Sequence, residues 1–267
     1  MNLDDLKNTK VALTHSGKFH ADDVFGAAFL SMLNPPLQIK RVNYVPEDFS
    51  GLAFDIGMKE FDHHQYDNEL RPSGVPYAAF GKLWKHFAHY VYSNYTCQKI
   101  DKLLIENLDL ADNTGSYNSL AIAISAFNPI TEISNGDEEF IQAVDFAKII
   151  LTRLIEKTQI QEQEMAIVKK YYDEAQDKKI IILDDHYYFQ DYLPETEAIY
   201  VIYPSNRGGF CAQGVPKNSN TVELKRPFPS SWVQQLPHYL RFCHKSGFLI
   251  AADNLPDIIY ACKEALK

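Results

Sequence analysis

Four stretches in the first half of the chain collect side chains suited to binding divalent metal. Thr14-His15-Ser16-Gly17-Lys18-Phe19-His20-Ala21-Asp22-Asp23 brings imidazoles and carboxylates to a strand-to-helix turn. Imidazole and carboxylate together suit Mn, Fe, Co or Zn better than Ca. His20 and Asp22 stand two apart at a helix start, and residues so spaced diverge, so one turn can serve two ions. The helix start also offers free N–H groups to a phosphate oxygen. Phe54-Asp55-Ile56-Gly57 sets a carboxylate at a strand end, where it can bridge two cations ~3.5–4 Å apart, the spacing of two-metal hydrolysis. Phe61-Asp62-His63-His64-Gln65 carries adjacent histidines behind an aspartate, and Leu110-Ala111-Asp112-Asn113 closes an apolar, helical lead-in with another. Each has a plainer reading alone. The first is also a capped helix with surface histidines, and Asp55 and Asp112 are also ordinary turn and helix-end residues. No Ser/His/Asp or Cys/His arrangement competes for the chemistry.

The elements that would position these groups read as α/β. Residues 10–15 are short and apolar and predict a buried strand ending at His15. Residues 21–33 have helical spacing and stop at Asn34-Pro35-Pro36. Residues 37–45 alternate as a second strand, and 52–56 form a third ending near Asp55. In such sheets ligands sit beyond the carboxyl ends of the strands. Helical, aromatic-rich sequence runs from about 77 to 111. The longest helical stretch, 138–176, follows the break at Asn135-Gly136-Asp137 and carries the domain join. Strands return at 180–183, 198–203 and 210–215, and a helix closes the chain near 255–266.

With 267 residues, 46% hydrophobic and 23% charged, the chain has the composition of a globular protein. Its net charge of −9 argues against coating nucleic acid by charge alone. Cys97, Cys211, Cys243 and Cys262 form no C-x-x-C and read as reduced thiols. The first residues lack the apolar segment of a secretory leader, and no apolar run approaches the ~18 residues of a membrane span. The expectation is a cytoplasmic protein with no membrane partner.

One region reverses the overall charge. Residues 205–247 hold Arg207, Lys217, Lys225, Arg226, Arg241 and Lys245 against Glu223 alone. Phe210, Phe228, Trp232 and Phe248 are interleaved, as in surfaces that track a phosphodiester backbone and stack bases. The alternative is a core of aromatics beneath a solvated charged face. Asp184-Asp185-His186 reads as a turn after a strand, and His86 and His89 as part of an aromatic packing face.

The motifs T-H-S-G-K-F-H-A-D-D, F-D-I-G, F-D-H-H-Q and A-D-N, in that order, resemble the melanocyte-proliferating-gene (Myg) family, often labelled metal-dependent protein hydrolases, of the DHH phosphoesterase superfamily. Val201-Ile202-Tyr203, Gly214-Val215-Pro216-Lys217, Arg226-Pro227-Phe228-Pro229 with Trp232, and His244-Lys245-Ser246-Gly247-Phe248 extend the likeness over nearly the whole chain. The stretch Arg71–Tyr77 is compressed where relatives carry a longer segment.

The resemblance implies a DHH-type catalytic domain with a mainly parallel sheet (1–136), a linker helix region (137–178) and a smaller α/β substrate-binding domain (179–267). It implies two divalent cations, Mn²⁺ first, with Mg²⁺, Co²⁺ or Zn²⁺ as alternatives. One would take His15, His20 and Asp55; the other would take Asp22, Asp55, His63 and Asp112. Asp55 and Asp22 would thus serve catalysis directly, and His64 would touch the substrate phosphate or orient a ligand. Arg207, Lys217, Arg226, His244, Ser246 and Gly247 are the candidates for substrate binding. The implied activity is 3′–5′ exonuclease action on RNA or short oligonucleotides. Hydrolysis of a small phosphate compound, such as a pyrophosphate or cyclic dinucleotide, is the first alternative. A non-catalytic, metal-stabilised RNA-binding module is the second. The pattern leaves room for a homodimer.

Overall fold

The computed structural model describes residues 1–64, 69–130 and 135–267, and the chain divides at Gln159/Ile160 into two units. Gln65 of the third motif lies outside the described residues. In the first unit Asn2 and Asp5 form a reciprocal capping box that opens α1 (Leu3–Asn8). The apolar run that follows becomes β1 (Val11–His15). A turn leads into α2 (Ala21–Leu33), then to β2 (Gln38–Val42) and β3 (Leu52–Ala53). The sheet order is β2-β1-β3 and both pairings are parallel. Parallel pairing brings the carboxyl ends of the strands to one edge, so His15 and the residues after β3 emerge together.

Every residue of α2 from Ala21 to Leu30 is buried. This helix therefore runs through the core, and the two aspartates of its first turn go in with it. A Cβ on Gly26 would meet Leu83 at 3.1 Å and Phe54 at 3.3 Å, so the glycine lets the sheet and α3 (Ala79–Phe87) close on this face.

The structure shortens or breaks several expected elements, among them the second strand, which runs Gln38–Val42 rather than 37–45. β3 stops before Asp55 because that residue takes a left-handed backbone, φ +54°. The expected helical run from 77 to 111 is broken into α3, a 3₁₀ turn, α4 (Asn94–Ile100), a π turn at Asp101–Ile105 and α5 (Glu106–Thr114). Ser93 explains one break: its side chain accepts the Thr96 N–H at 3.1 Å and starts α4 afresh. Gly115, at φ +68°, ends α5. A short α6 (Ser119–Ser125) precedes α7 (Asp137–Glu174), which contains the boundary between the units.

The second unit holds a five-stranded mixed sheet. β4 (Ile180–Ile182) pairs parallel with β5 (Tyr200–Pro204). β6 (Phe210–Gly214) is antiparallel to β5. After the one-turn α8 (Ser231–Gln234) come β7 (Phe242–Cys243), β8 (Leu249–Ala252) and α9 (Leu255–Ala265). The order is β4-β5-β6-β8-β7. Ile202, Ala212 and Ile250 face a core shared with Ile258, Ala261 and Cys262 of α9. The opposite face packs Val201 and Tyr203 against Val168, Leu183, Phe189 and Leu193. The fold class is α/β, as expected. The four cysteines are free. Among the described residues no helix is long and apolar enough to cross a membrane.

Candidate metal centre

The turn between β1 and α2 is braced on both sides. Asn128 accepts the Phe19 N–H at 3.0 Å and donates to the Phe19 carbonyl at 2.8 Å. Arg41 bonds the Gly17 carbonyl and pairs with Asp137 at 3.0 Å, with its guanidinium over the Phe19 and Phe140 rings. A turn held this way fixes where His15, His20, Asp22 and Asp23 point.

Each carboxylate here spends one oxygen on the fold and keeps another for the site. Asp22 Oδ2 accepts the Ala79 N–H at 3.0 Å, capping α3 from a neighbouring helix. Asp23 Oδ1 accepts the His20 N–H at 2.8 Å, the return half of a capping box. What remains is Asp22 Oδ1 and Asp23 Oδ2, both buried and without a hydrogen-bond partner; Asp55 Oδ1 and His63 Nδ1 are in the same condition. Orphaned buried groups of this kind are costly, at about 1–3 kcal/mol each and more when charged, and they call for a cation.

Asp55 stands at the centre. Its Oδ2 is 3.2 Å from His15 Nε2, and its Oδ1 is 3.2 Å from His63 Nδ1. Its left-handed backbone is the means: the N–H still bonds the Phe61 carbonyl at 3.0 Å while the carboxylate turns between the two histidines. His15 Nε2 also lies 3.2 Å from Asp23 Oδ2. His63 reaches Asp22 Oδ2 at 3.8 Å and, through Nε2, Asp112 Oδ2 at 3.0 Å. His20 Nδ1 is 3.8 Å from Asp112 Oδ1. Ligand atoms about 2.1 Å from one ion lie about 3.0–3.5 Å from each other, and most of these separations fall there.

Among the described residues, three groups of side chains have ligand atoms close enough to hold a metal ion: His15, Asp23 and Asp55; His20, Asp22 and Asp112; and Asp55, Asp62, His63 and His64. All six anticipated ligands are therefore drawn into one region around Asp55. The grouping differs from that of the resemblance in one respect. His20 stands with Asp22 and Asp112, its ring centroid 6.0 Å from that of His15, and Asp23 occupies the position beside His15. Asp23 was not singled out from sequence, although it is the third residue of α2 and so a capping-box position.

His15 Nδ1 is 2.9 Å from the Ser16 carbonyl, so it donates there and Nε2 faces the carboxylates. Burial alone would lower the His15 pKa, but Asp23 and Asp55 outweigh it and push it up to about 11. His63 goes the same way, to about 9, against burial and through Asp112 and Asp55. Burial would raise Asp55, yet His15 and His63 bring it down to about 2. Asp22 is held well above the usual carboxylate range by burial first, then by repulsion from Asp55, Asp112, Asp23 and Asp109. These shifts are the mark of a site that draws positive charge to itself, which a divalent ion bound there would supply in place of protons.

Asp62 differs from the others. Its Oδ2 accepts the Met58 N–H at 2.6 Å, and its Oδ1 lies 2.7 Å from His64 Nδ1. Its oxygens are satisfied, so it orients His64 rather than offering a ligand. His64 stacks on His63 with centroids 4.3 Å apart and is 59% exposed, its Nε2 edge left for solvent or substrate.

Behind Asp112 lies a buried ion cluster that sequence reading did not find. Arg71 pairs with Asp109 at 2.7 Å and Asp101 at 2.8 Å, with its guanidinium over the Tyr77 ring at 3.9 Å. Gly81 makes room: a Cβ there would come within 1.9 Å of Asp109 Oδ2. Asp109 precedes Asp112 by one turn of α5, so the cluster fixes the helix that presents Asp112.

The candidate substrate residues lie in the second unit and are differently engaged. Arg207 sits exposed in the β5–β6 turn, and among the described residues its guanidinium has no acidic partner. Lys217 pairs with Glu223. Arg226 donates to the Leu266 carbonyl at 3.0 Å. His244 Nδ1 is 2.9 Å from Ser246 Oγ in the β7–β8 turn. Gly247 is required there, since at φ +67° its Cβ would come 2.6 Å from the Phe228 carbonyl. Ser246 lines a cavity of about 600 Å³ with Gln190, Gln213, Pro227 and Phe248. Of the two readings of the interleaved aromatics, Phe228 takes the core one: it is buried and stacks on Tyr200 at 4.3 Å.

Comparison with known proteins agrees with the motif order. The MYG1_exonuc family model, described as "Uncharacterised protein family (UPF0160)", matches residues 11–266. The chain belongs to this MYG1 family. Among MYG1 relatives, the "MYG1 protein" of Chlamydia trachomatis is 27% identical, covering 95% of this chain and 94% of that one. The Saccharomyces cerevisiae MYG1 protein is 25% identical over 97% and 96%. The human relative, named "MYG1 exonuclease", is 22% identical over 88% of this chain and 80% of its own. Among solved structures, RecJ from Thermus thermophilus in complex with Mg²⁺ aligns at TM-score 0.31 and 12% identity, over 98% of this chain and 50% of that one.

Proposed function

We propose that this MYG1 family member is a two-metal phosphodiester hydrolase that removes nucleotides from the 3′ end of RNA or short oligonucleotides. The observation that carries the reading is the set of partnerless buried atoms around Asp55. Asp22 Oδ1, Asp23 Oδ2, Asp55 Oδ1 and His63 Nδ1 converge where the fold gives them no hydrogen bond. The MYG1 exonuclease name of the human relative and the DHH-type motifs support a nuclease over other hydrolases.

On this reading His15, Asp23 and Asp55 hold one cation, and Asp22, His20, His63 and Asp112 hold the other, with Asp55 shared. Mn²⁺ suits the mixed nitrogen and oxygen donors. Bound there, the pair would supply an activated water at neutral pH and offset the charge of the phosphate. The chain's own residues do the rest. Asp55 keeps a fixed negative charge at the site, and Asp22, whose buried carboxyl is held toward its protonated form, would exchange its proton for a cation at Oδ1, the oxygen the fold does not use. His64, held at Nδ1 by Asp62, directs Nε2 outward to donate to a phosphate oxygen or the leaving alkoxide. Residues 1–136 form the metal domain, 137–178 the linker and 179–267 the substrate domain, whose Arg207, Lys217, Arg226, His244, Ser246 and Gly247 engage the strand.

The test is release of mononucleotides from 5′-labelled RNA with Mn²⁺, Co²⁺ or Mg²⁺, beside a panel of pyrophosphate and cyclic dinucleotides. A ladder shortening from the 3′ end supports the reading. Turnover of the small phosphates with intact RNA replaces it with the small-substrate alternative. Metal-dependent stabilisation with no turnover replaces it with a binding module.

A further inference from the structure

The mixed sheet of the second unit leaves half of one face open. Cross-strand register lines up Tyr203, Cys211, Ala251 and Phe242 in one row, from β5 through β6 and β8 to β7. Alternation puts their neighbours Ile202, Ala212 and Ile250 on the other face, beneath α9. The β5 end of the row is covered, Tyr203 packing with Leu183 and Phe189. Toward β7 the cover thins: Cys211 is half-buried, Ala251 is buried at the foot of the opening, and Phe242 is 45% exposed.

The open part is a cavity of about 700 Å³, within the ~300–1,000 Å³ range of sites for small organic ligands. Its floor is made of small side chains, Cys211 and Ala251, between two aromatic rings. Its rim carries Arg207, Arg241 and His186, and no carboxylate lines it. Arg241 is held in place by the Gly208 carbonyl at 2.6 Å and by Asp253 at 3.3 Å. His186 is fixed edge-on to Tyr203, with centroids 4.4 Å apart. In a chain of net charge −9, an aromatic trough rimmed by Arg207 and by Arg241, the latter shared with Asp253, suits a ligand that is both planar and anionic.

We propose that this sheet face is a nucleotide-binding platform that takes one unit of a single strand, its base stacked on Phe242 and its phosphate on Arg207. Sheet faces that stack splayed bases on aromatics are a general solution for single-stranded nucleic acid. The choice of ligand rests on the nuclease reading, but the site lies apart from the metal ligands in sequence and uses none of them. Phe242 is the residue that sequence reading missed, because β7 is only two residues long.

The experiment measures binding of a fluorescein-labelled decauridylate and of an abasic strand of equal length to the full chain in EDTA, by fluorescence anisotropy. Wild type binds the base-bearing strand more tightly. Phe242→Ala weakens it about tenfold, the scale of one lost stack, and removes the preference over the abasic strand, while Phe242→Tyr retains both. Arg207→Ala weakens both strands alike. Phe242→Ala binding with wild-type affinity and preference, in a variant whose Tm is unchanged, overturns the platform. So does equal wild-type affinity for the two strands. Mn²⁺-dependent release of mononucleotides by wild type is scored separately. Phe242-dependent binding without release leaves the platform standing and removes the nuclease reading.

Discussion

Asp22 caps a helix that is not its own. Its Oδ2 accepts the Ala79 N–H at the start of α3, at 3.0 Å, so Oδ1 is the oxygen left to face the cluster. Substitution by Asn keeps an acceptor for Ala79 and removes a carboxyl whose charged form is repelled by Asp55, Asp112, Asp23 and Asp109. Asp22→Asn in EDTA is therefore expected to melt no lower than wild type. Mn²⁺ at about one hundred times its Kd adds about 2.7 kcal/mol to the wild type, and the variant gains little of this. Thermal melts with and without Mn²⁺ check both halves. Equal stabilisation of the two proteins would remove Asp22 from the ligand set.

If Asp55 serves both cations as proposed, its loss costs more than one ion. Asp55→Asn tolerates the left-handed backbone at φ +54° but lacks the charge that faces both His15 and His63. Metal content by elemental analysis after gel filtration should fall from about two equivalents to near zero. One full equivalent retained would mean Asp55 does not bridge.

His64 predicts the opposite split. It is fixed by Asp62 and stands 59% exposed beside the ligands. His64→Gln should keep both metal equivalents while kcat falls by about 10²–10⁴, the range of a general acid or base. Asp62→Asn should move kcat in the same direction by a smaller amount. Loss of metal in His64→Gln would make it a ligand.

The Arg71–Asp109 pair yields a pH-dependent prediction. Burial raises the Asp109 pKa to about 6 even with Arg71 opposing it. A raised carboxylate binds more protons folded than unfolded. Its contribution is therefore present at low pH and lost as pH rises from the unfolded value, near 3.9, through the folded one. Arg71→Met removes the opposing charge and moves the folded pKa higher, so the loss continues above pH 6. Urea melts should show the variant closest to wild type near pH 5 and furthest near pH 8, where an uncompensated buried charge costs about 3–5 kcal/mol. A pH-independent difference would mean that Arg71 acts through packing alone. Gly81→Ala should destabilise comparably, because its Cβ would displace Asp109.

Much of the site was legible because its chemistry is written in short motifs. Asp55 and Asp112 alone read as ordinary turn and helix-end residues; their order behind His15, Asp22 and His63 is what pointed to a site, and strand ends could be read from apolar runs. Asp23 was hidden by its neighbour, since two adjacent aspartates at a helix start are ordinarily caps, and Asp23 does cap. What it does with its second oxygen depends on His15 being 3.2 Å away, which only tertiary structure gives. The Arg71 cluster was invisible for a similar reason. It needs a π turn at Asp101–Ile105 and a missing side chain at residue 81, neither of which leaves a periodic signal. The second sheet was half read. β4, β5 and β6 are apolar runs, but β7 and β8 are two and four residues long; β8 forms by pairing with β6, and β7 by pairing with β8. Phe228 stood open between stacking surface and core in the sequence, because aromatic spacing does not distinguish the two, and burial decides for the core.

The central claim is a cation pair on either side of Asp55. Anomalous diffraction at the manganese edge, from crystals grown with Mn²⁺, tests it most directly. The account predicts two peaks about 3.5–4 Å apart, one beside His15 and Asp23 and one beside Asp22 and Asp112, with Asp55 touching both. A map with no peak in this cluster, or with a single ion that leaves Asp55 uncoordinated, would contradict it.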